Sequence, residues 1–208
     1  MKHVILTNVI IILVVLAAVA GGWYYYNQSA NYVTTDNAQI TGRMVAVTSS
    51  APGKLVTWNG TVGQTVTANQ VIGNEDVQGP LGDVKTPIAG TVIQSNASQG
   101  EVVIPGMPLA TIADLGNLYV IANIDETNVN DVKIGKTVDV TVDAFPGTLT
   151  GTVNQIGMAT QSTFSVLPSN NASGNYTKTT QRIPVKIVLQ DYNNNLIPGL
   201  NCSVRIHK

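Results

Sequence analysis

One cysteine, Cys202, and two histidines, His3 and His207, are all that 208 residues offer of the side chains most used to bind zinc or to pair as nucleophile and base. A lone cysteine excludes an intrachain disulfide. The histidines stand at opposite ends of the chain, so no Ser-His-Asp or Cys-His arrangement is written into the sequence, and neither a catalytic centre nor a metal site is expected. Charge is scarce as well. Only 11% of residues are charged, the net charge is −1, and the Lys and Arg residues are scattered, which removes the clustered basic surface that nucleic acid requires. No glycine-rich phosphate loop of either standard spacing occurs, so energy from a nucleotide, and any cofactor, is not expected of this chain. The adjacent carboxylates Asp125 and Glu126 read as the start of a short helix over 126–132, with Asp125 as cap and Gly135 as terminator.

What is present begins with an apolar run. Residues 4–22 hold no charge and only Thr7 and Asn8 interrupt them. As a helix the run rises roughly 28 Å, close to the ~30 Å hydrocarbon core of a bilayer. Trp23, Tyr24, Tyr25 and Tyr26 follow, where an interfacial aromatic belt is expected, and Lys2 and the terminal amine precede it. The expectation is a single-pass anchor over 1–26 in the cytoplasmic membrane, with the N-terminus inside and the body outside. The alternative is a cleaved signal peptide, since Ala18-Val19-Ala20 resembles a cleavage site.

The body carries a degenerate repeat at an offset of 37 residues. Gly53, Leu55, Val56, Gly63, Val66 and Ile72 recur as Gly90, Val92, Ile93, Gly100, Val103 and Leu109. Each half reads as turn, strand (54–58; 91–94), glycine turn and second strand, and is too small to bury its apolar face alone. Two such halves make a biotinyl/lipoyl-like β-sandwich, a barrel-sandwich hybrid, over 46–113, joined by a short turn at 76–83. Beyond it the period is two: Val138, Val140 and Val142 alternate with polar residues, as do Ile183, Val185, Ile187 and Leu189. With 118–124, 149–156 and 200–206, and an early strand over 39–47, these strands predict a β-barrel over 114–208, with 27–45 as linker and first barrel strand. The fold class is therefore mainly β. Cys202 alternates with Leu200, Val204 and Ile206 and reads as a core thiol. Residues 158–180, rich in Ser, Thr, Asn and Gly, read as a long loop.

Several segments resemble the membrane fusion proteins, or periplasmic adaptors, of haemolysin-secretion and multidrug-efflux type, most closely the adaptors of major-facilitator exporters. These are YVTTDNA at 32–38, VKTPIAG at 84–90, IDET at 124–127 with IGKTV at 134–138, FSVLP at 164–168, NASGNY at 171–176 and QRIPV at 181–185. The resemblance implies a multidrug or small-molecule efflux subunit that self-associates into a ring around an exporter of major-facilitator or ABC type and forms an exit path. It implies contact with partner or substrate through Phe164, Leu167, Pro168, Tyr176 and Arg182. It departs from the family at 76–83, where a long α-helical hairpin is usual and eight residues with Gly79, Pro80 and Gly82 cannot form one. An outer-membrane channel is thus not expected as a partner.

Two other readings compete. A swinging-arm carrier needs a lysine at the exposed turn between the halves, and 76–83 contains none; Lys85 lies beyond it, flanking a strand. A membrane-anchored envelope scaffold without a transport role accommodates the anchor and the β body equally well, and only the lipoyl repeat and the 164–185 signature stand against it.

Overall fold

The computed structural model describes residues 2–77, 79, 81–164, 180–192 and 196–208; within them, the side chains of 2–10, 24, 25, 27–29 and 164 are not described. One long helix, α1 (Lys2–Asn31), precedes fourteen described strands: β1 (Tyr32–Thr41), β2 (Met44–Thr48), β3 (Gly53–Trp58), β4 (Thr65–Val66), β5 (Val71–Asp76), β6 (Leu81–Lys85), β7 (Gly90–Ser95), β8 (Val102–Val103), β9 (Pro108–Ala113), β10 (Tyr119–Asp125), β11 (Thr137–Val142), β12 (Thr148–Ile156), β13 (Arg182–Gln190) and β14 (Asn201–His207). The helix extends past the aromatic cluster into the stretch read as linker, because nothing between Gly22 and Tyr32 breaks it. Over its described side chains, and elsewhere among the described residues, no helix is long and apolar enough to cross a membrane.

The 37-residue offset maps strand onto strand. β2, β3, β4 and β5 become β6, β7, β8 and β9 at identical bounds. The two halves exchange strands, giving sheets ordered β2-β9-β7-β4 and β6-β5-β3-β8, whose orders are equivalent under the same offset. Hydrogen bonds repeat likewise: the Gly63 N–H donates to Val92 O at 2.8 Å and the Gly100 N–H to Leu55 O at 2.7 Å. Leu55, Ile72, Val92 and Leu109 are fully buried between the sheets, each worth roughly 1.5–3 kcal/mol of apolar transfer. The repeat is broken at Glu75, a buried carboxylate whose partner position is the buried Ile112. Ser49 Oγ donates to Glu75 Oε2 at 2.7 Å, and the Ser50 N–H to Oε1 at 3.3 Å. Between the halves, Asp76 pairs directly with Leu81, so the connection is a hairpin.

The remaining six strands close a barrel in the order β1-β10-β13-β12-β11-β14. Its alternating inward residues, among them Ile40, Val120, Ile124, Val140, Ile187, Val204 and Ile206, form a core separate from that of the sandwich. Cys202 belongs to this core, and burial, helped by the Asp143 charge, pushes its thiol up to about 11. What the sequence reads as one early strand over 39–47 is two. β1 closes the barrel and β2 enters the sandwich, with the break at Gly42, where a Cβ would meet Leu118 Cδ2 at 2.7 Å.

The helix expected over 126–132 is instead a 3-10 turn, Val129–Asp131. Asn128, Val129, Asn130 and Asp131 are poor helix formers. Asp125 is the last residue of β10 and its carboxylate goes to Arg182, so the intended cap is not available.

Candidate functional site at the helix-side rim of the barrel

Strand register assigns the barrel two rims. At one, β1 and β10 connect to the sandwich. At the other, Tyr32 pairs with His207, Asp125 with Arg182, and Thr137 with Thr152, so the α1–β1 junction, the 126–136 connection, the end of β12 and the start of β13 all gather there. Two of the residues singled out from sequence come to this rim. The Arg182 guanidinium donates to Asp125 Oδ1 at 3.0 Å, both about half exposed. Phe164 ends a 3-10 turn, Gln161–Phe164, tied to the base of β13 by a short Ser162 Oγ to Gln181 Oε1 hydrogen bond. Leu167, Pro168 and Tyr176 lie outside the described residues. On α1, Trp23 and Tyr26 are exposed; the side chains of Tyr24 and Tyr25 are not described.

A second cluster at this rim escapes sequence reading. The Arg205 guanidinium holds Asp139 Oδ2 with two N–H donors, Nε at 3.0 Å and Nη2 at 2.8 Å, and His207 Nε2 lies 3.2 Å from the same oxygen. Tyr32 stacks edge-on against His207 with centroids 4.8 Å apart, and Arg205 sits 4.9 Å from the Tyr32 ring centre. These residues share a face only because β1, β14 and β11 are neighbours in this register. Outward alternation on each strand was legible; the register that unites them was not.

The hydrogen bonds from Arg205, outweighing desolvation, and those from His207 hold the Asp139 carboxyl below the usual range. A carboxyl depressed in the folded state stabilises it above its unfolded pKa, and that stabilisation disappears as pH falls through the lower folded value. Asp139→Asn is therefore expected to cost about 1 kcal/mol at neutral pH, discounted for the exposure of the Arg205 partner. The difference from wild type should vanish in strong acid, as urea melts at a series of pH values will read.

The same rim ties the helix to the barrel. The Lys208 N–H donates to Asn31 O at 3.0 Å, Lys136 Nζ donates to the Lys208 main-chain oxygen at 2.6 Å, and Lys208 Nζ meets Asp131 at 2.8 Å. A polar cleft of about 650 Å³ on the outer face of β1, β14 and β11 is lined by Thr34, Asp36, Asp139, Thr141, Ser203 and Arg205. No group of three or more potential metal ligands occurs among the described residues.

Comparison with known proteins supplies the remaining observations. Residues 43–114 match the YhbJ barrel-sandwich hybrid domain family and residues 117–207 the AAEA-like β-barrel domain family. YhbJ of Bacillus subtilis (strain 168), an efflux system component by name, is 46% identical over 208 residues, covering 98% of this chain and 92% of YhbJ. EmrK of Escherichia coli (strain K12), a multidrug resistance protein by name, is 38% identical over 109 residues, which are 51% of this chain and only 28% of EmrK. Among solved structures, the periplasmic adaptor protein EmrA superposes with a TM-score of 0.57 at 12% identity, over 85% of this chain and 98% of that one, a likeness of fold alone.

Proposed function

Because the chain belongs to the EmrA-like family of membrane fusion proteins, the efflux adaptors, we propose that it is the adaptor subunit of a multidrug or small-molecule efflux system, self-associating outside the cytoplasmic membrane around an exporter. The observation that carries the reading is the pairing of a two-half lipoyl sandwich with a six-stranded barrel in one chain, matched along nearly its whole length by a relative named as an efflux system component. The family and fold are those of a non-enzymatic adaptor. A major-facilitator exporter is the proposed partner, on the strength of the motif segments and the EmrK relationship. The hairpin between β5 and β6, four residues long between paired Asp76 and Leu81, leaves no room for a coiled coil. The proposed adaptor accordingly works without docking an outer-membrane channel.

We assign α1 to a single-pass anchor with its N-terminus inside. Thirty residues of helix span about 45 Å. Ile11, Ile12, Leu13, Val14, Val15, Leu16 and Val19 are all more than half exposed, a helix apolar around its circumference with no protein to cover it. The uncharged run over 4–22 and the Trp23 to Tyr26 belt support the assignment.

Phe164, Leu167, Pro168, Tyr176 and Arg182 are proposed as contacts to exporter or substrate, since Phe164 and Arg182 belong to the rim from which α1 departs. Replacing Phe164 and Arg182 together by alanine should abolish most drug resistance conferred by the chain while its expression stays normal. Unchanged resistance and unchanged oligomer assembly would remove the contact assignment. A drug-susceptible host lacking its own copy, complemented by the variant, makes the measurement.

A further inference from the structure

We infer that the connection preceding β11, Lys133-Ile134-Gly135-Lys136, is a second membrane contact, which seats the helix-side rim of the barrel on the headgroups of an anionic lipid surface. The inference rests on the anchor reading of α1 and adds to it a specific lipid-binding loop.

The depth follows from the chain. Only residues 27–31 separate Tyr26 from the first residue of β1, and all are helical, so the barrel begins about 8 Å beyond the aromatic belt. The headgroup layer of one leaflet is roughly 5–8 Å thick. Contacts fix the loop at that level: Lys136 Nζ reaches the main-chain oxygen of Lys208, and the Lys208 N–H reaches the carbonyl of Asn31, the last residue of α1.

The loop is also built to present its tip. Gly135 has φ +87, a left-handed conformation that turns the chain sharply, and its N–H donates to Val153 O at 2.8 Å. Val132 and Val138 on either side are buried in the barrel core, whereas Ile134 is 67% exposed. An isoleucine held out of an adjacent core, between two lysines, fits the boundary where acyl chains meet phosphate. Met158, fully exposed just past the end of β12, extends the apolar surface of the same rim.

Charge selects the lipid. At this rim Arg182 pairs with Asp125, Arg205 with Asp139, and Lys208 with Asp131. The 133–136 connection carries two lysines and no carboxylate; Lys133 makes no ion pair among the described residues, and Lys136 Nζ meets the main-chain oxygen of Lys208. The loop that enters the headgroup layer is thus locally basic although the chain as a whole is slightly negative. On an anionic surface each such lysine favours the docked position about fivefold.

The test uses the full chain reconstituted into phosphatidylcholine vesicles with and without phosphatidylglycerol. Because Cys202 is buried, a polarity-sensitive thiol probe can be placed at Ile134→Cys, with Ser50→Cys, exposed on the sandwich away from the barrel, as the comparison site. The expected result is blue-shifted emission at position 134, quenched by spin-labelled lipid, stronger with phosphatidylglycerol and reduced by K133Q/K136Q, while position 50 reports water. A chain that floats with the vesicles but reports water at position 134 on both lipids would overturn the loop contact and leave the anchor standing. A chain that does not float would overturn the anchor reading and the loop contact with it.

Discussion

Gly90→Val unfolds the sandwich. A Cβ built at Gly90 lies 2.4 Å from the Ala113 carbonyl oxygen, and at the equivalent Gly53 it lies 2.3 Å from the Asp76 oxygen. Both obstacles are backbone atoms of the neighbouring strand and neither can swing away. Accommodating even one methyl group requires β7 and β9, or β3 and β5, to separate where their registers begin, Thr91 with Ala113 and Lys54 with Asp76. The cost expected of Gly90→Ala or Gly53→Ala is about 3 kcal/mol or more, against a total stability of about 5–15 kcal/mol, and valine adds two further carbons to the clash. Gly106 provides the control. Its φ is +81 with nothing within 4 Å of a Cβ, and its counterpart at the 37-residue offset is Asn69 at φ +62. Gly106→Asn should therefore cost only a few tenths of a kcal/mol. Urea denaturation of these variants, followed by limited proteolysis to locate the unfolded half, reads the difference. The barrel has its own core, so its strands should remain protected when those of the sandwich are cut.

Removing residues 1–26 should abolish export altogether while leaving a folded, soluble β protein. The two β cores draw none of their buried residues from α1. The helix meets the body through the hydrogen bond between Asn31 and Lys208, which the truncation retains. What is lost is confinement. A chain restricted to the membrane plane meets a membrane-embedded exporter at a far higher effective concentration than one free in solution. Thermal unfolding of the secreted, truncated chain should show a cooperative transition, and a drug-susceptible strain expressing it should be as sensitive as one carrying no copy. Restoration of resistance by the soluble form would show that the anchor is dispensable.

The repeat was the most legible part of the fold because its information is local. Gly53, Leu55, Gly63, Val66 and Ile72 each mark a turn or an inward position, and recurrence 37 residues later reports that both halves are the same unit. Period-two alternation likewise exposed the barrel strands. Three features needed the third dimension. The split of 39–47 into β1 and β2 depends on Leu118 crowding Gly42, a contact between residues 76 positions apart in the chain. The expected helix at 126–132 failed because Asp125 had a stronger partner in Arg182, 57 residues away, and because Val, Asn and Asp do not sustain a helical turn. The Asp139, Arg205, His207 and Tyr32 cluster depends on which strands become neighbours, and alternation on single strands is silent about that. Of the residues proposed for partner contact, Arg182 and Phe164 fall at one rim, and Leu167, Pro168 and Tyr176 lie outside the described residues.

An adaptor should be recovered with its exporter when the tagged full-length chain is crosslinked in living cells and purified in detergent, and its partners are identified by mass spectrometry. Recovery of a polytopic exporter, crosslinked through the helix-side rim, is expected. Recovery of cell-wall-associated or peripheral envelope proteins without any transporter would contradict the adaptor reading and assign the chain to the envelope as a scaffold.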